Sequence, residues 1–300
     1  MSSDAPRLNR YLASSGQGSR RACETLIRDG RVTINGHVVT DLATRVGPGD
    51  EVAVDTVPCQ VASELVLLLN KPKGVICSKA QMDDRPTVFH LLPPNLPSLF
   101  YVGRLDADSE GMLIMTNSGD LAERISHPRN KLPKVYEVLL DRNFEIKDRE
   151  RLLRGIETPF SFGRMESVDP MTGPRARVVL SQGLKRQVRL MFRFCGYKVV
   201  GLRRVQIGGL RMGELKPGQW RELDEKDLRR LMSLDVAGAV AQKPILPKSY
   251  AKKLTADGEK RPPARRPSLK SRRTELDRPP RRRNNTKGPR SRPSGRSGRS

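Results

Sequence analysis

The pattern of hydrophobic and polar positions changes period several times along the chain, and each change marks an element. Arg7–Leu12 reads as a short amphipathic helix, broken by Gly16 and Gly18. Ser19 is a good N-cap for a second helix, Arg20–Asp29. Its apolar residues Ala22, Cys23, Leu26 and Ile27 recur at spacings of three to four on one face, with Arg20, Arg21 and Arg28 off that face. Gly30 ends it. Val32–Ile34 and His37–Val39 then flank Asn35-Gly36, the strongest short hairpin signal. A Gly-Pro-Gly-Asp turn at 47–50 leads into an alternating strand, Glu51–Val54.

After a linker near Thr56–Ser63, the pattern becomes richer in apolar runs. Predicted strands are Leu65–Leu69, Met112–Met115, Tyr136–Leu140, Arg177–Leu180 and Trp220–Leu223. Predicted helices are Leu121–Ser126, Lys147–Leu153, Lys185–Cys195 and Glu225–Ser233. No regular alternation of strand and helix is present, which predicts an α+β fold with a mostly antiparallel sheet. From about Ala237 the periodic pattern stops and Pro, Arg and Ser dominate. Such a segment cannot bury enough surface to offset chain entropy, and disorder is expected there. The expected division is 1–60, 64–236 and 237–300.

Charge sharpens this division. Of the 300 residues, 57 are Lys or Arg and 33 Asp or Glu, a formal net charge of +24. Residues 241–300 hold 20 basic and 4 acidic side chains, so +16 of the excess lies in the last fifth. An excess of this size costs self-repulsion and reads as a surface built to meet a polyanion. The longest aliphatic run, Leu65–Leu69, is far short of the ~20 residues that span a bilayer. Asp4 and the lack of an early apolar stretch argue against a secretory signal. Cys23, Cys59, Cys77 and Cys195 are scattered, as expected of reduced thiols in a cytoplasmic protein. His37, His90 and His127 show no metal-ligand spacing.

One polar segment stands out: Gly103-Arg104-Leu105-Asp106-Ala107-Asp108-Ser109-Glu110-Gly111, leading into Met112–Met115. An Asp in such a loop is usually a turn or capping residue, and spacing alone does not choose between Asp106 and Asp108.

Several motifs, in order, resemble known families. Arg-Leu-Asn-Arg-Tyr-Leu at 7–12, Gly-Ser-Arg-Arg at 18–21, Gly-Arg-Val-Thr-Ile-Asn-Gly at 30–36 and Pro-Gly-Asp at 48–50 resemble the S4 RNA-binding domain. Gly-Arg-Leu-Asp at 103–106 with Asp-Ser-Glu-Gly-Met-Leu at 108–113 resembles the central motif of pseudouridine synthases of the RsuA/RluB/RluE/RluF type. Leu69–Gly74, Pro133–Val138 and Gly183–Arg189 resemble that family's first, tyrosine-strand and last motifs. The last motif departs from the common pattern: Leu190 stands where a second arginine is frequent, so one basic contact is lost.

The resemblance implies a small S4-like domain, a larger mixed-sheet catalytic domain and a basic tail. It implies isomerisation of uridine to pseudouridine in ribosomal RNA, more readily large-subunit, with no cofactor and no metal. By resemblance Asp106 is the catalytic carboxylate, which must be ionised and aimed at the nucleotide. Arg189 matches the arginine that pairs with it, and Tyr136 the ring that packs on a flipped base. Arg104, two residues before Asp106, shares its face if the stretch is extended, and would hold a phosphate there. Arg7, Arg10, Arg20, Arg21, Lys71 and Arg186 are candidate RNA contacts, Lys71 with support of the sheet as its alternative, and Arg186, Arg189 and Arg193 form a basic stripe on the Lys185–Cys195 helix. Ribosomal RNA, free or in an assembling particle, is the expected partner of a monomer that binds no membrane. The rival readings are a non-catalytic RNA-binding protein on the same scaffold and a glycosidase using Asp106 and Asp108.

Deleting residues 237–300 is expected to weaken RNA binding and flatten its salt dependence, because fewer counterions are released per complex. A titration over a range of salt that returned the full-length slope would overturn this role for the tail.

Overall fold

The computed structural model describes residues 5–80 and 84–235; the basic segment expected from 237 onward lies outside them. In the N-terminal part, α1 (Leu8–Ser14) and α2 (Arg20–Arg28) cover a four-stranded sheet. Its strands are β1 (Val32–Ile34), β2 (His37–Val38), β3 (Val52–Val54) and β4 (Val57–Pro58), in the order β2-β1-β3-β4. The Ser19 hydroxyl accepts the Ala22 amide at 3.2 Å, the cap its sequence position foretells. Asn35 and Gly36 both take positive φ, 52° and 81°, as a tight two-residue hairpin requires. Leu8, Leu12, Cys23 and Ile27 meet Val32, Val52 and Val54 in one apolar core.

The chain then enters a nine-stranded sheet. Its first members are β5 (Val66–Lys71), β6 (Phe100–Val102), β7 (Glu110–Thr116) and, after α3 (Gly119–Ser126), β8 (Lys134–Leu140). α4 (Arg149–Arg154) precedes a separate small hairpin, β9 (Ile156–Glu157) and β10 (Phe162–Gly163). β11 (Ser167–Met171), β12 (Arg175–Leu180), α5 (Gln187–Phe194), β13 (Val199–Ile207), β14 (Leu210–Arg211), β15 (Trp220–Glu222) and α6 (Glu225–Leu231) complete it. The strand order is β11-β12-β8-β13-β7-β5-β15, with β14 on β13 and β6 on β7. Every pairing in it is antiparallel except β13 with β7. The fold is therefore the mixed, mostly antiparallel α+β arrangement that the patterning predicts.

Both faces of β5 and β7 are buried, which explains the uninterrupted apolar run at 65–69. Val66, Leu68, Met112 and Ile114 pack with α3 and α6 through Leu121, Ile125 and Leu231. Leu67, Leu69, Leu113 and Met115 pack on the opposite face with Val75, Leu99 and Leu105. Farther along the sheet, Val138, Val178 and Leu180 bury against Val188, Met191 and Phe192 of α5. Asn117 fastens the linker to the sheet: its amide nitrogen donates to the Ser63 carbonyl and its amide oxygen accepts from Leu65 N–H, both at 2.8 Å.

Two differences from the sequence reading matter. The longest strand, β13, carries Arg203 and Arg204 at its centre and therefore lacks an apolar signature, yet both are buried. The helix predicted over Lys185–Cys195 starts only at Gln187, because Arg186 adopts a left-handed conformation (φ 52°, ψ 26°). A turn there returns the Gln187 amide to the Leu184 carbonyl at 3.2 Å. Arg186 thus leaves the helical stripe expected of it.

The parallel contact requires Gly111. Its φ is +106°, and a Cβ there would lie 2.3 Å from the Arg204 carbonyl oxygen and 2.8 Å from its amide nitrogen. Gly111→Ala is expected to destabilise the fold by about 3 kcal/mol, from left-handed strain and backbone overlap together. Urea unfolding checks this; a loss below about 1 kcal/mol would mean that the two strands separate easily.

Candidate active site

β6 and β7 are neighbouring antiparallel strands, and the loop between them, Gly103–Ser109, carries the Gly-Arg-Leu-Asp motif. Leu105 points into the core, 6 % exposed, while Arg104 and Asp106 on either side of it are exposed. This alternation places the two side chains on one side of the loop, as an extended stretch would.

Two segments far apart in sequence hold this loop. Lys71, at the end of β5, is fully buried and reaches beneath it. Its ammonium donates to the carbonyls of Ser109 (2.8 Å), Pro72 (3.0 Å) and Asp106 (3.2 Å). Gly74 N–H donates to the Ala107 carbonyl at 2.9 Å. From α5, Arg189 donates to the Asp108 carbonyl (3.0 Å), to Ser109 Oγ (3.4 Å) and to the Val199 carbonyl (3.0 Å). Its Nε is buried and meets no hydrogen-bond partner among the described residues. Burial lowers the Arg189 pKa; Asp108 and Asp106 oppose this, and Arg186 adds to it. The guanidinium therefore stands within electrostatic reach of Asp106, but its hydrogen bonds go to the loop's main chain. Direct pairing of Arg189 with the Asp106 carboxylate is not what this structure shows.

Tyr136 lies on β8, opposite Val178 of β12 and Arg204 of β13. It is half-buried where two apolar clusters meet, one containing Leu105 of the loop and the other Val188 and Met191 of α5. Arg204 is buried, and its Nε donates to the Met112 carbonyl at 2.7 Å, just beyond Gly111. The tyrosine strand, the loop strand and the last-motif helix are therefore packed into one unit.

The candidate RNA contacts separate into groups. Arg7, Arg20 and Arg21 are exposed at the starts of α1 and α2. Arg10 is half-buried and forms an ion pair with Asp120 in the first turn of α3, and Arg20 lies against the neighbouring Gly119. Arg186 is exposed, and Arg104 makes no hydrogen bond or ion pair among the described residues. Lys71 is a correction: with its side chain fully buried on three carbonyls it cannot be an RNA contact, and its role is to shape the loop.

Gln187 escapes sequence reading. It is 4 % exposed; its amide nitrogen donates to the Arg164 carbonyl (3.1 Å) and Gln182 Oε1 (3.2 Å), and its oxygen accepts from Leu184 N–H (3.3 Å). A polar residue at a helix start has no periodic signal; only its place in the last motif marks it.

Burial lowers the Lys71 pKa from 10.5 to about 8, against the attraction of Cys77, Glu110, Asp106 and Asp108. Between those values the unfolded chain binds more protons, so folding stability rises with pH while the folded ammonium is lost. A neutral amine offers two donors to three carbonyls. Turnover is expected to fall as pH passes about 8 without loss of fold stability. Lys71→Met should lower kcat by about 100-fold through loop misplacement. Lys134, also lowered to about 8 by burial and by Arg204, is the control. If Lys134→Gln removes the alkaline decline and Lys71→Met leaves kcat intact, the role assigned to Lys71 is wrong.

Comparison with known proteins accounts for this constellation. Residues 65–194 match the model of the RNA pseudouridylate synthase family, and residues 6–52 that of the S4 domain. An uncharacterized RNA pseudouridine synthase of Aquifex aeolicus is 38% identical over 234 residues, spanning 75% of this chain and 93% of its own. Ribosomal large subunit pseudouridine synthase B of Bacillus subtilis is 34% identical over 236 residues, spanning 76% and 96%. A pseudouridylate synthase crystal structure superposes with a TM-score of 0.56 at 28% identity, covering 75% of this chain and 99% of that one. The four converging segments are thus those of an RNA-modifying isomerase, and the chain belongs to the RNA pseudouridylate synthase family with an S4 domain at its N-terminal side.

Proposed function

We propose that the protein isomerises a uridine of large-subunit ribosomal RNA to pseudouridine in the cytoplasm, with Asp106 as the reacting carboxylate. The observation that carries this reading is the convergence on one loop. Lys71 and Gly74 of the first motif and Arg189 of the last hold the backbone around Asp106, and the carboxylate itself is exposed. A carboxylate that must meet a nucleotide needs both a fixed backbone and an open side chain. Large-subunit RNA is favoured by the name of the Bacillus subtilis relative and by the basic tail.

In the reaction, the bond from ribose C1′ to uracil N1 breaks and a bond from C1′ to C5 forms. The C5 hydrogen is lost and N1 gains one, so no electron or external group is exchanged. Asp106 engages the ribose or the base at the first step. Arg189 holds the loop through the Asp108 carbonyl and places positive charge within electrostatic reach of the carboxylate. Tyr136 offers a ring face to the flipped base, replacing part of the stacking lost on leaving the RNA. Arg104, on Asp106's side of the loop, takes a neighbouring phosphate. The S4 arginines Arg7, Arg20 and Arg21 contact backbone phosphates at a distance from the chemistry.

Asp106→Asn is expected to abolish pseudouridine formation while RNA binding stays within about twofold, since the exposed side chain supports no packing. Carbodiimide-dependent primer-extension stops on large-subunit ribosomal RNA report the product. If wild-type protein leaves no stop that the variant lacks, the enzyme reading fails in favour of a non-catalytic RNA-binding protein. Release of free uracil would instead mark a hydrolase.

A further inference from the structure

The small hairpin β9–β10 carries aromatic rings that the core does not use. Phe160 is 55% exposed and Phe162 48%, so two of the three exposed phenylalanines of the described residues share one turn. The turn is rigid. Thr158, 7% exposed, accepts from Ser161 N–H (3.2 Å) and donates to the Ser161 carbonyl (2.6 Å); its N–H donates to the same carbonyl at 3.1 Å. The ammonium of Lys185 stands 4.8 Å from the centre of the Phe160 ring.

The hairpin is also tied to the active-site helix. A Cβ on Gly163 would meet Gln187 at 3.2 Å, and Gln187 donates to the Arg164 carbonyl at 3.1 Å. Gln187 opens α5, whose first turn also carries Arg189. Exposed aromatic rings on an ordered turn, beside the cations Lys185 and Arg186 and joined to this helix, have the composition of a base-stacking surface.

We propose that Phe160, with Phe162 beside it, is a stacking platform for an unpaired RNA base flanking the target nucleotide, and that Lys185 and Arg186 take the adjoining phosphate. This rests on the RNA-modifying reading and extends it to recognition of the neighbouring strand. Unpaired RNA is favoured over a protein partner by charge: Arg164, Lys185 and Arg186 are exposed here against the carboxylates of Glu157 and Glu166. Stacking is tolerant of base identity, so the platform orients the strand without naming the site.

The test uses the full-length protein and large-subunit ribosomal RNA from cells lacking the enzyme. Phe160→Ala should raise Kd and KM about tenfold with kcat at saturating RNA unchanged. Phe160→Trp should restore affinity, and RNA should quench its emission beyond the quenching that Trp220 gives in the parent. Circular dichroism melts matching the parent keep the comparison among folded proteins. Unchanged Kd and KM in Phe160→Ala, or tryptophan emission indifferent to RNA, overturns the proposal. So does a change of sedimentation at unaltered RNA affinity, which would mark a protein-binding face. If wild-type protein forms no pseudouridine, the enzyme reading fails, but binding and fluorescence still decide the platform.

Discussion

A buried ammonium beneath a backbone loop governs the site. Removing a lysine from water costs several kcal/mol unless its donors are matched, and here three carbonyls match them. Two of those carbonyls belong to residues on either side of the Asp106–Ser109 turn, so the same contacts that satisfy the charge fix the loop. The loop cannot move without stranding the ammonium, nor the ammonium without releasing the loop. That mutual dependence lets Asp106 face solvent and still hold one position.

The sheet passes this constraint onward. β7 begins directly after the loop, and its second residue, Gly111, lets the β13 backbone approach closely enough for Arg204 to reach the Met112 carbonyl. Arg204 pairs across to Tyr136 on β8, and Tyr136 packs with both Leu105 and the α5 cluster. From α5, Arg189 returns to the carbonyl of Asp108. The contacts close a circuit from loop to strand to helix and back. Its members are rigid elements, so a fixed relation between the Asp106 loop and the Tyr136 ring follows from packing alone.

Much of this was legible because local chemistry and global fold agree. The Ser19 cap, the Asn35-Gly36 turn and the run at 65–69 each have one physical reading, and the structure uses it. What escaped lies where tertiary contacts override local pattern. β13 holds two arginines at its centre, and no periodicity rule assigns a core strand to such a segment. Arg186 sits beside a helix-like pattern but takes a left-handed turn imposed by the contacts of Gln187. Lys71 looked like a surface cation because burial is invisible in a residue's name. Asp106 and Asp108 were equivalent by spacing; only family resemblance separated them. The structure gives that choice a physical context, with the backbone of Asp106 bound to the lysine below and that of Asp108 to Arg189.

Several cations of the folded part do not serve its surface. Lys71, Arg177, Arg203 and Arg204 are each 5% exposed or less, and they serve carbonyls and carboxylates within the sheet. Arg189 is partly buried on the loop, and Arg10 is engaged by Asp120. A buried cation cannot release counterions from a bound polyanion, so it contributes nothing to the salt-dependent part of RNA affinity. That part falls to exposed cations such as Arg7, Arg20, Arg21, Arg104, Lys185 and Arg186, and to the basic segment beyond residue 237. The exposed set is spread over both domains, which suits tracking a backbone more than gripping one patch. Discrimination among uridines must then come from contacts that read base edges, which neither phosphate-binding cations nor a base-tolerant stacking ring supplies.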